Sequence, residues 1–261
     1  MNEKKFDRIT EYAKKEIKKI SKKEISYDFD SKIYKQGIIE DLNEIEKLKI
    51  DKNKVLDFGC GRGIFTLLLS NLFKESYGID VKPKTDEKDI DPSGPLYKTQ
   101  EKIWKKFENQ FNTEFGYYDK RIPFENNKFD CVVAYAVLEH IAKKELINRI
   151  REINRVLKKN GIFYVSRTPR SWSFSERFGK YLSFGCHEKL FGEKEIKELL
   201  KRGGFEILRF ERTDFIPGFL IFKEISGNQD CFKILWVLEK IILKTPLKYF
   251  AHHYKIIARK I

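Results

Sequence analysis

The stretch "VLDFGCGRG" at residues 55–63 sets an apolar run, a carboxylate and three glycines in succession. A glycine-rich turn between a strand and a helix lets a ligand approach the backbone, with the N–H groups of the helix start facing it. Dinucleotides, nucleoside triphosphates and adenosyl compounds are the candidates. No lysine follows where a GxxxxGK[ST] phosphate loop needs one. Counting Gly-x-Gly-x-x-Gly from Gly59 and Gly61 puts Ile64 at the third glycine, and Gly63 arrives one residue early. Asp57 would stand close to a pyrophosphate, and two negative charges about 4 Å apart repel by roughly 4 kcal/mol at an effective dielectric near 20. An ammonium would be attracted instead. Asp80, closing "YGID", is placed to accept hydrogen bonds from both hydroxyls of a ribose. A ligand with a ribose, no phosphate and a positively charged amino acid end meets these demands, and S-adenosylmethionine fits.

A sulfonium methyl group is already activated, so a protein using it has mainly to hold a nucleophile in line and exclude water. A hydroxyl acceptor must also lose its proton, which a histidine near neutral pKa can take. Of the four histidines, His140 in "VLEHI" follows the fourth predicted strand and His187 in "SFGCHEKLF" precedes the helix after the fifth. Both fall on the acceptor side and are the catalytic candidates. Substrate positioning is the alternative role for His140, and a helix-start contact for His187. His252 and His253 lie beside the last strand and read as structural or surface residues.

Those positions need a scaffold. From residue 54 the pattern alternates: "KVLDFG", "ESYGID", "EFGYY", "FDCVVAYAVL", "GIFYVS" (opened by a "KKNG" turn), "FEILRFERT" and "YKIIARK" read as strands. Helical patterns fall between them at "IFTLLLSNLF", "KKELINRIREINRVL" and "EKEIKELLKRGG", the last ending on glycines. The expected fold class is α/β, a doubly wound Rossmann-like, mostly parallel seven-stranded sheet with helices on both faces. Ligands of such sheets bind at the carboxyl ends of the strands. Residues 1–50 read as an N-terminal helical cap, with "YDFDSKIYKQG" as a break, ahead of a main domain over 51–261. In the first helix Phe6, Ile9, Ala13, Ile17 and Ile20 mark an apolar face against a lysine stripe. A long insertion before "EFGYY" carries a helix with Ile103, Trp104 and Phe107, and residues 215–250 form a helical lid before the last strand.

In order along the chain, "VLDFGCGRG", "GID", "IPFENNKFDCVVAYAVLEHI", "REINRVLKKNGIFYVSRTPR" and "HEKLFGEKEIKELLKRGGFEI" resemble the class I S-adenosylmethionine-dependent methyltransferases. The resemblance spans about residues 54–212 and extends to the last strand, and the ordered set is specific where no single motif is. It implies that Asp57, Gly59, Cys60, Gly61 and Gly63 surround the methionine part of the cofactor. It further implies Asp80 at the ribose, Val81 beside the adenine, Asp119 at the adenine amino group, and Tyr135 with Ala136 on the methionine side. Glu139 and His140 resemble the "LEH" of ubiquinone-pathway O-methyltransferases. The carboxylate-rich set that would accompany a divalent ion is not visible, so no metal is assigned.

The acceptor is less constrained. A small-molecule, lipid-linked or surface-glycan hydroxyl is one reading, supported by Tyr27, Phe29, Tyr34, Trp172, Phe174 and Phe184, which could equally be core. The net charge of +14 favours anionic partners and keeps an RNA methyltransferase open. Against RNA, "AYAVLEH" follows the fourth strand where an Asn/Asp-Pro-Pro-Tyr/Phe grip on a flipped base would stand. A non-catalytic binding protein with a retained cofactor fold is the third reading. Within residues 230–250 a wide apolar face is edged by Lys233, Lys240, Lys244 and Lys248, suited to packing on the protein or a second subunit, or to a peripheral membrane contact. A charged start, the lack of a membrane-length apolar run and scattered Cys60, Cys131, Cys186 and Cys231 point to the cytoplasm.

Overall fold

The computed structural model describes residues 1–21, 32–82, 97–176, 189–216 and 229–261. Seven strands form one sheet: β1 (Lys54–Phe58), β2 (Glu75–Val81), β3 (Thr113–Tyr118), β4 (Phe129–Tyr135), β5 (Leu157–Pro169), β6 (Phe205–Thr213) and β7 (His253–Lys260). Their order is β3-β2-β1-β4-β5-β7-β6. Only β7 runs against its neighbours β5 and β6. The expected doubly wound architecture is therefore present, and its order reverses between β1 and β4.

Side chains alternate across the sheet, so each strand feeds two cores. Val55, Cys131, Val133, Ile162, Tyr164 and Ile257 enter one core. Their neighbours Leu56, Val132, Ala134, Phe163, Val165 and Ile256 enter the other. The first core is covered by α1 (Glu3–Ser21), α2 (Lys32–Lys47), α3 (Ile64–Leu69) and α4 (Tyr97–Glu108). The second is covered by α5 (Lys143–Val156) and α6 (Glu193–Arg202). Phe6, Ile9, Ala13 and Ile17 of α1 are all buried, as their helical spacing requires. Helices α1 and α2 thus share one core with α3 and α4.

Three local expectations change. Helix α2 begins at Lys32, inside the stretch read as a break, and carries Gly37 within it. Helix α3 stops at Leu69, because Ser70 Oγ and Asn71 Nδ2 turn back to the Leu67 carbonyl at 2.8 and 3.1 Å and compete with helical bonding. The "KKNG" turn lies within β5, where Asn160 is left-handed (φ 63°) and the pairing with β4 shifts between Phe129 and Cys131.

Helix α7 (Gln229–Ile242) and the 3-10 turn Pro246–Phe250 precede β7. Ile234, Val237, Leu238, Ile241, Leu247, Tyr249 and Phe250 are exposed there. Lys233 and Lys240, seven residues apart on α7, share a face as expected, with Lys240 reaching Glu40; Lys244 is exposed beyond the helix end, and Lys248 departs from the set by lining a cavity. Trp172 and Phe174 are exposed rather than core. Tyr27, Phe29 and Phe184 lie outside the described residues. No helix among the described residues is long and apolar enough to cross a membrane.

Candidate active site

The carboxyl ends of β1, β2, β4 and β5 meet on one edge of the sheet. The loop after β1 is pinned to the end of β2: the N–H groups of Gly59 and Cys60 donate to the Ile79 carbonyl at 2.8 and 3.0 Å. Gly61 N–H donates to Asp80 Oδ2 at 2.6 Å, and Val81 N–H donates to Oδ1 at 2.7 Å. Each Asp80 oxygen keeps lone-pair capacity beyond its one bond. Burial raises the Asp80 pKa, while the two backbone donors oppose the rise.

All three loop glycines are left-handed, with φ of 80°, 51° and 85°. At Gly59 a Cβ would meet the Val137 side chain at 2.6 Å, and at Gly63 it would meet the Phe115 ring at 2.6 Å. At Gly61 a Cβ would meet nothing within 4 Å. The loop is therefore packed tightly behind and open over its middle glycine. Its other side is clamped by α4: Gln100 Nε2 and Trp104 Nε1 donate to the Gly61 carbonyl at 2.6 and 3.2 Å. Tyr117 Oη donates to Gln100 Oε1 at 3.1 Å, and Trp104 stacks on Phe115.

Asp57 lies beneath the loop, 2% exposed, with Thr66 Oγ1 donating to its Oδ2 at 2.7 Å. Burial pushes its pKa up to about 7; the Thr66 bonds oppose this and the nearby Asp80 charge adds to it. A cation arriving beside it would favour its ionised form. The Cys60 thiol, also buried, is raised well above its ordinary pKa by the same desolvation.

Across the strand-order reversal, Tyr135 stacks on Phe65 of α3 with centroids 4.7 Å apart. Ala136 is left-handed (φ 53°), and its N–H donates to the Ser166 carbonyl at 3.0 Å. Arg167 at the end of β5 (φ 57°) and Asp214 after β6 (φ 60°) share this conformation. Such backbone costs on the order of 1–3 kcal/mol per non-glycine residue and concentrates at functional sites. The Arg167 guanidinium stands 4.3 Å from the Tyr34 ring centroid and 5.4 Å from that of Tyr135.

The ends of β5 and β6, with α2 and α7, line a cavity of about 310 Å³. Gly37, Asp41, Arg167, Asp214, Glu239 and Lys248 are among its walls. Asp214 Oδ2 pairs with His253 Nδ1 at 2.8 Å. Against the opposing effect of burial, the Arg167 charge and the His253 bond hold the Asp214 carboxyl well below the usual carboxylate range. Burial lowers the His253 pKa to about 4 despite Asp214, so this histidine is neutral and structural near pH 7.

Asp57, Gly59, Cys60, Gly61, Gly63, Asp80 and Val81 thus form one assembly, with Tyr135 and Ala136 on the neighbouring strand end. Asp119 follows β3 and is exposed; its carbonyl accepts from Arg149, and its carboxylate makes no hydrogen bond among the described residues. His140 is exposed on the 3-10 turn Leu138–His140, beside buried Glu139. His187 lies outside the described residues. Sequence reasoning missed Thr66, Gln100, Arg167 and Asp214. An arginine closing the buried run "GIFYVSR" was the available signal for Arg167.

Known proteins resemble the chain as follows. The family model described as a methyltransferase domain matches residues 29–209. A ubiquinone biosynthesis O-methyltransferase of Pelagibacter ubique is 26% identical over 191 residues, covering 69% of this chain and 73% of its own length. An uncharacterized protein of Methanocaldococcus jannaschii is 26% identical over 267 residues, covering 90% and 87%. Among solved structures, a SAM dependent methyltransferase from Archaeoglobus fulgidus aligns with a TM-score of 0.56 at 21% identity, over 87% of this chain and 94% of that one. At that identity the likeness is one of fold.

The Asp57 environment has a measurable consequence. Its pKa is raised in the folded state, so between about pH 4 and 7 the folded chain holds a proton that the unfolded chain has lost. Asp57 therefore costs stability as pH rises through that window, and the cost is constant above it. Urea unfolding at pH 5 and pH 8 should show Asp57→Asn gaining on the wild type by about 2–4 kcal/mol between the two pH values. An unchanged difference would mean that Asp57 ionises normally.

Proposed function

The chain belongs to the methyltransferase-domain family and is an S-adenosylmethionine-dependent methyltransferase, and we propose that it methylates a hydroxyl group of a small-molecule acceptor. The observation that carries the small acceptor is the cavity of about 310 Å³ lined by Arg167, whose guanidinium stands 5.4 Å from the Tyr135 ring, at the low end of the size range of small-molecule pockets. The hydroxyl is supported by the name of the Pelagibacter relative and by a histidine on the turn after β4.

The cofactor loop fits its ligand chemically. Open space over Gly61 leaves room for it, Asp80 keeps lone pairs for ribose hydroxyls, and Asp57 is an acid that a ligand ammonium would help to ionise. Val81 and Asp119 serve the adenine end; Gly59, Cys60, Gly63, Tyr135 and Ala136 serve the methionine end. When bound, S-adenosylmethionine supplies an activated methyl group on positively charged sulfur. The chain's own task is then to hold the acceptor oxygen in line, keep water out and take the hydroxyl proton. His140 Nδ1 or Nε2 takes that proton, with His187 as the second candidate base. The His140 turn is held by its own N–H donating to the Val137 carbonyl at 2.9 Å.

Exposed Ile234, Val237, Leu238 and Ile241 on α7, continued by Leu247, Tyr249 and Phe250, give the protein an apolar face that suits a membrane interface. A lipid-linked acceptor would be met there.

Calorimetry with S-adenosylmethionine should give binding that Asp80→Ala weakens at least tenfold. Ligand ammonium favours ionised Asp57, so below about pH 7 affinity should fall by up to tenfold per pH unit, and Asp57→Asn should flatten that slope. No binding by the wild type would remove the assignment. Transfer of labelled methyl groups should enter a small-molecule and lipid extract rather than total RNA; label in RNA would overturn the acceptor class. His140→Ala should lower kcat by about 10²–10⁴ at unchanged cofactor affinity, and a loss under about tenfold would exclude it as the base. In flotation with phosphatidylglycerol–phosphatidylcholine vesicles, the wild type should rise with the lipid and an Ile234→Ser/Ile241→Ser variant should not. Equal behaviour would end the membrane reading.

A further inference from the structure

We infer that Arg167 anchors the methyl acceptor through a carboxylate on that acceptor, bound in the cavity between the ends of β5 and β6, α2 and α7. The inference deepens the methyltransferase reading and rests on it for the word acceptor; the anion site itself stands on the geometry.

Arg167 is 7% exposed, lines the cavity, and donates no hydrogen bond among the described residues. Its guanidinium carries five donors, and they open onto the cavity, where a bound acceptor could take them. Its aromatic neighbours do not use those donors. Tyr34 and Tyr135 lie within cation–π range of the guanidinium, and interactions of that kind engage the face of the cation while its in-plane N–H fork stays available. That fork matches a planar carboxylate.

The acidic groups around Arg167 take their hydrogen bonds from other donors. Glu40 pairs with Lys240. Asp41 takes Lys255 at 2.9 Å, together with the hydroxyls of Tyr164 and Ser166 at 2.9 and 2.8 Å. Glu239 accepts the N–H groups of Phe215 and Ile216, both at 2.8 Å. Arg212 pairs with Glu193, and Glu211 stands 3.8 Å from Arg209. Asp214 and Asp41 offset the Arg167 charge from a distance, but their hydrogen bonds go elsewhere. Arg167 and Lys248 remain as the cavity cations without an ion-pair partner among the described residues. The cavity wall as a whole is balanced in charge, and what it offers an anion is the unused donor fork of Arg167 rather than net positive charge.

Two backbone features are spent on this placement. Arg167 adopts its left-handed conformation just where β5 leaves β4, and Gly37 of α2 leaves room for its guanidinium, since a Cβ there would stand 3.1 Å from Nη2. Tyr135 pairs with Ser166 in the β4–β5 register, so the residue preceding Arg167 adjoins the strand end proposed for the methionine side. An acceptor held by its carboxylate at Arg167 would lie beside that end.

The test uses matched acid and amide probes on the full chain: salicylate with salicylamide, 4-hydroxyphenylacetate with 4-hydroxyphenylacetamide, and lactate with lactamide. Binding is read by calorimetry or ligand-observed NMR in the presence of S-adenosylhomocysteine. At least one acid should bind tenfold or more tightly than its amide. Arg167→Gln should erase that preference, Arg167→Lys should keep part of it, and S-adenosylmethionine affinity should stay within about twofold in both. If no acid outbinds its amide on the wild type, or if Arg167→Gln keeps the preference, the inference is overturned. The wild-type comparison decides the matter even where Arg167→Gln fails to fold. Absence of S-adenosylmethionine binding with a retained acid preference would instead strike the methyltransferase reading and leave the anion site standing.

Discussion

Parallel pairing of β2, β1, β4 and β5 is the constraint from which the rest of the site follows. It sends the last residues of four strands to one edge, and the reversal of order between β1 and β4 opens a crevice there. Asp57, Asp80, Tyr135 and Arg167 come from segments far apart in the chain and converge because of that register. Both faces of the sheet are covered, so the strands are fixed laterally as well as in register. Only the antiparallel β7 breaks the pattern, and it brings His253 against Asp214 beside the cavity.

Within that frame the two halves of the crevice differ in electrostatics. The β1–β2 side carries two acids with raised pKa and no cation between them, which suits a ligand with an ammonium and hydroxyl groups. The β5–β6 side carries a guanidinium within cation–π range of Tyr34 and Tyr135, amid carboxylates already served by other donors. Adjacent strand ends thus differ in what they present, carboxylates on one side and a guanidinium on the other. Tyr135 touches both sides, packing on Phe65 and lying near Arg167.

Legibility in the sequence followed the range of the interactions. The glycine loop, Asp80 and all seven strands could be read because each depends on spacing within a few residues. The periodicity of α1 was equally legible, since one stripe of a helix must be buried. Helix α2 was misjudged at its start: Gly37 looked like a breaker, and its use is to admit a side chain from β5. The lysines of 230–250 were placed on one face, whereas the helix ends at Ile242 and Lys248, beyond it, lines the cavity. The insertion before β3 looked like an interruption, yet its helix holds the glycine loop through Gln100 and Trp104.

The strands, the glycine turn and the family were thus legible in the sequence itself, because backbone conformation and hydrophobic period are local properties, whereas the order of the strands came from the fold. Which charges meet was decided only by the tertiary structure. Arg167 lies 130 residues after Gly37 and 47 before Asp214, and no local pattern tells a surface arginine from one buried between tyrosines with its donors facing a cavity. Electrostatic partnership depends on distance through space, and the fold alone sets that distance.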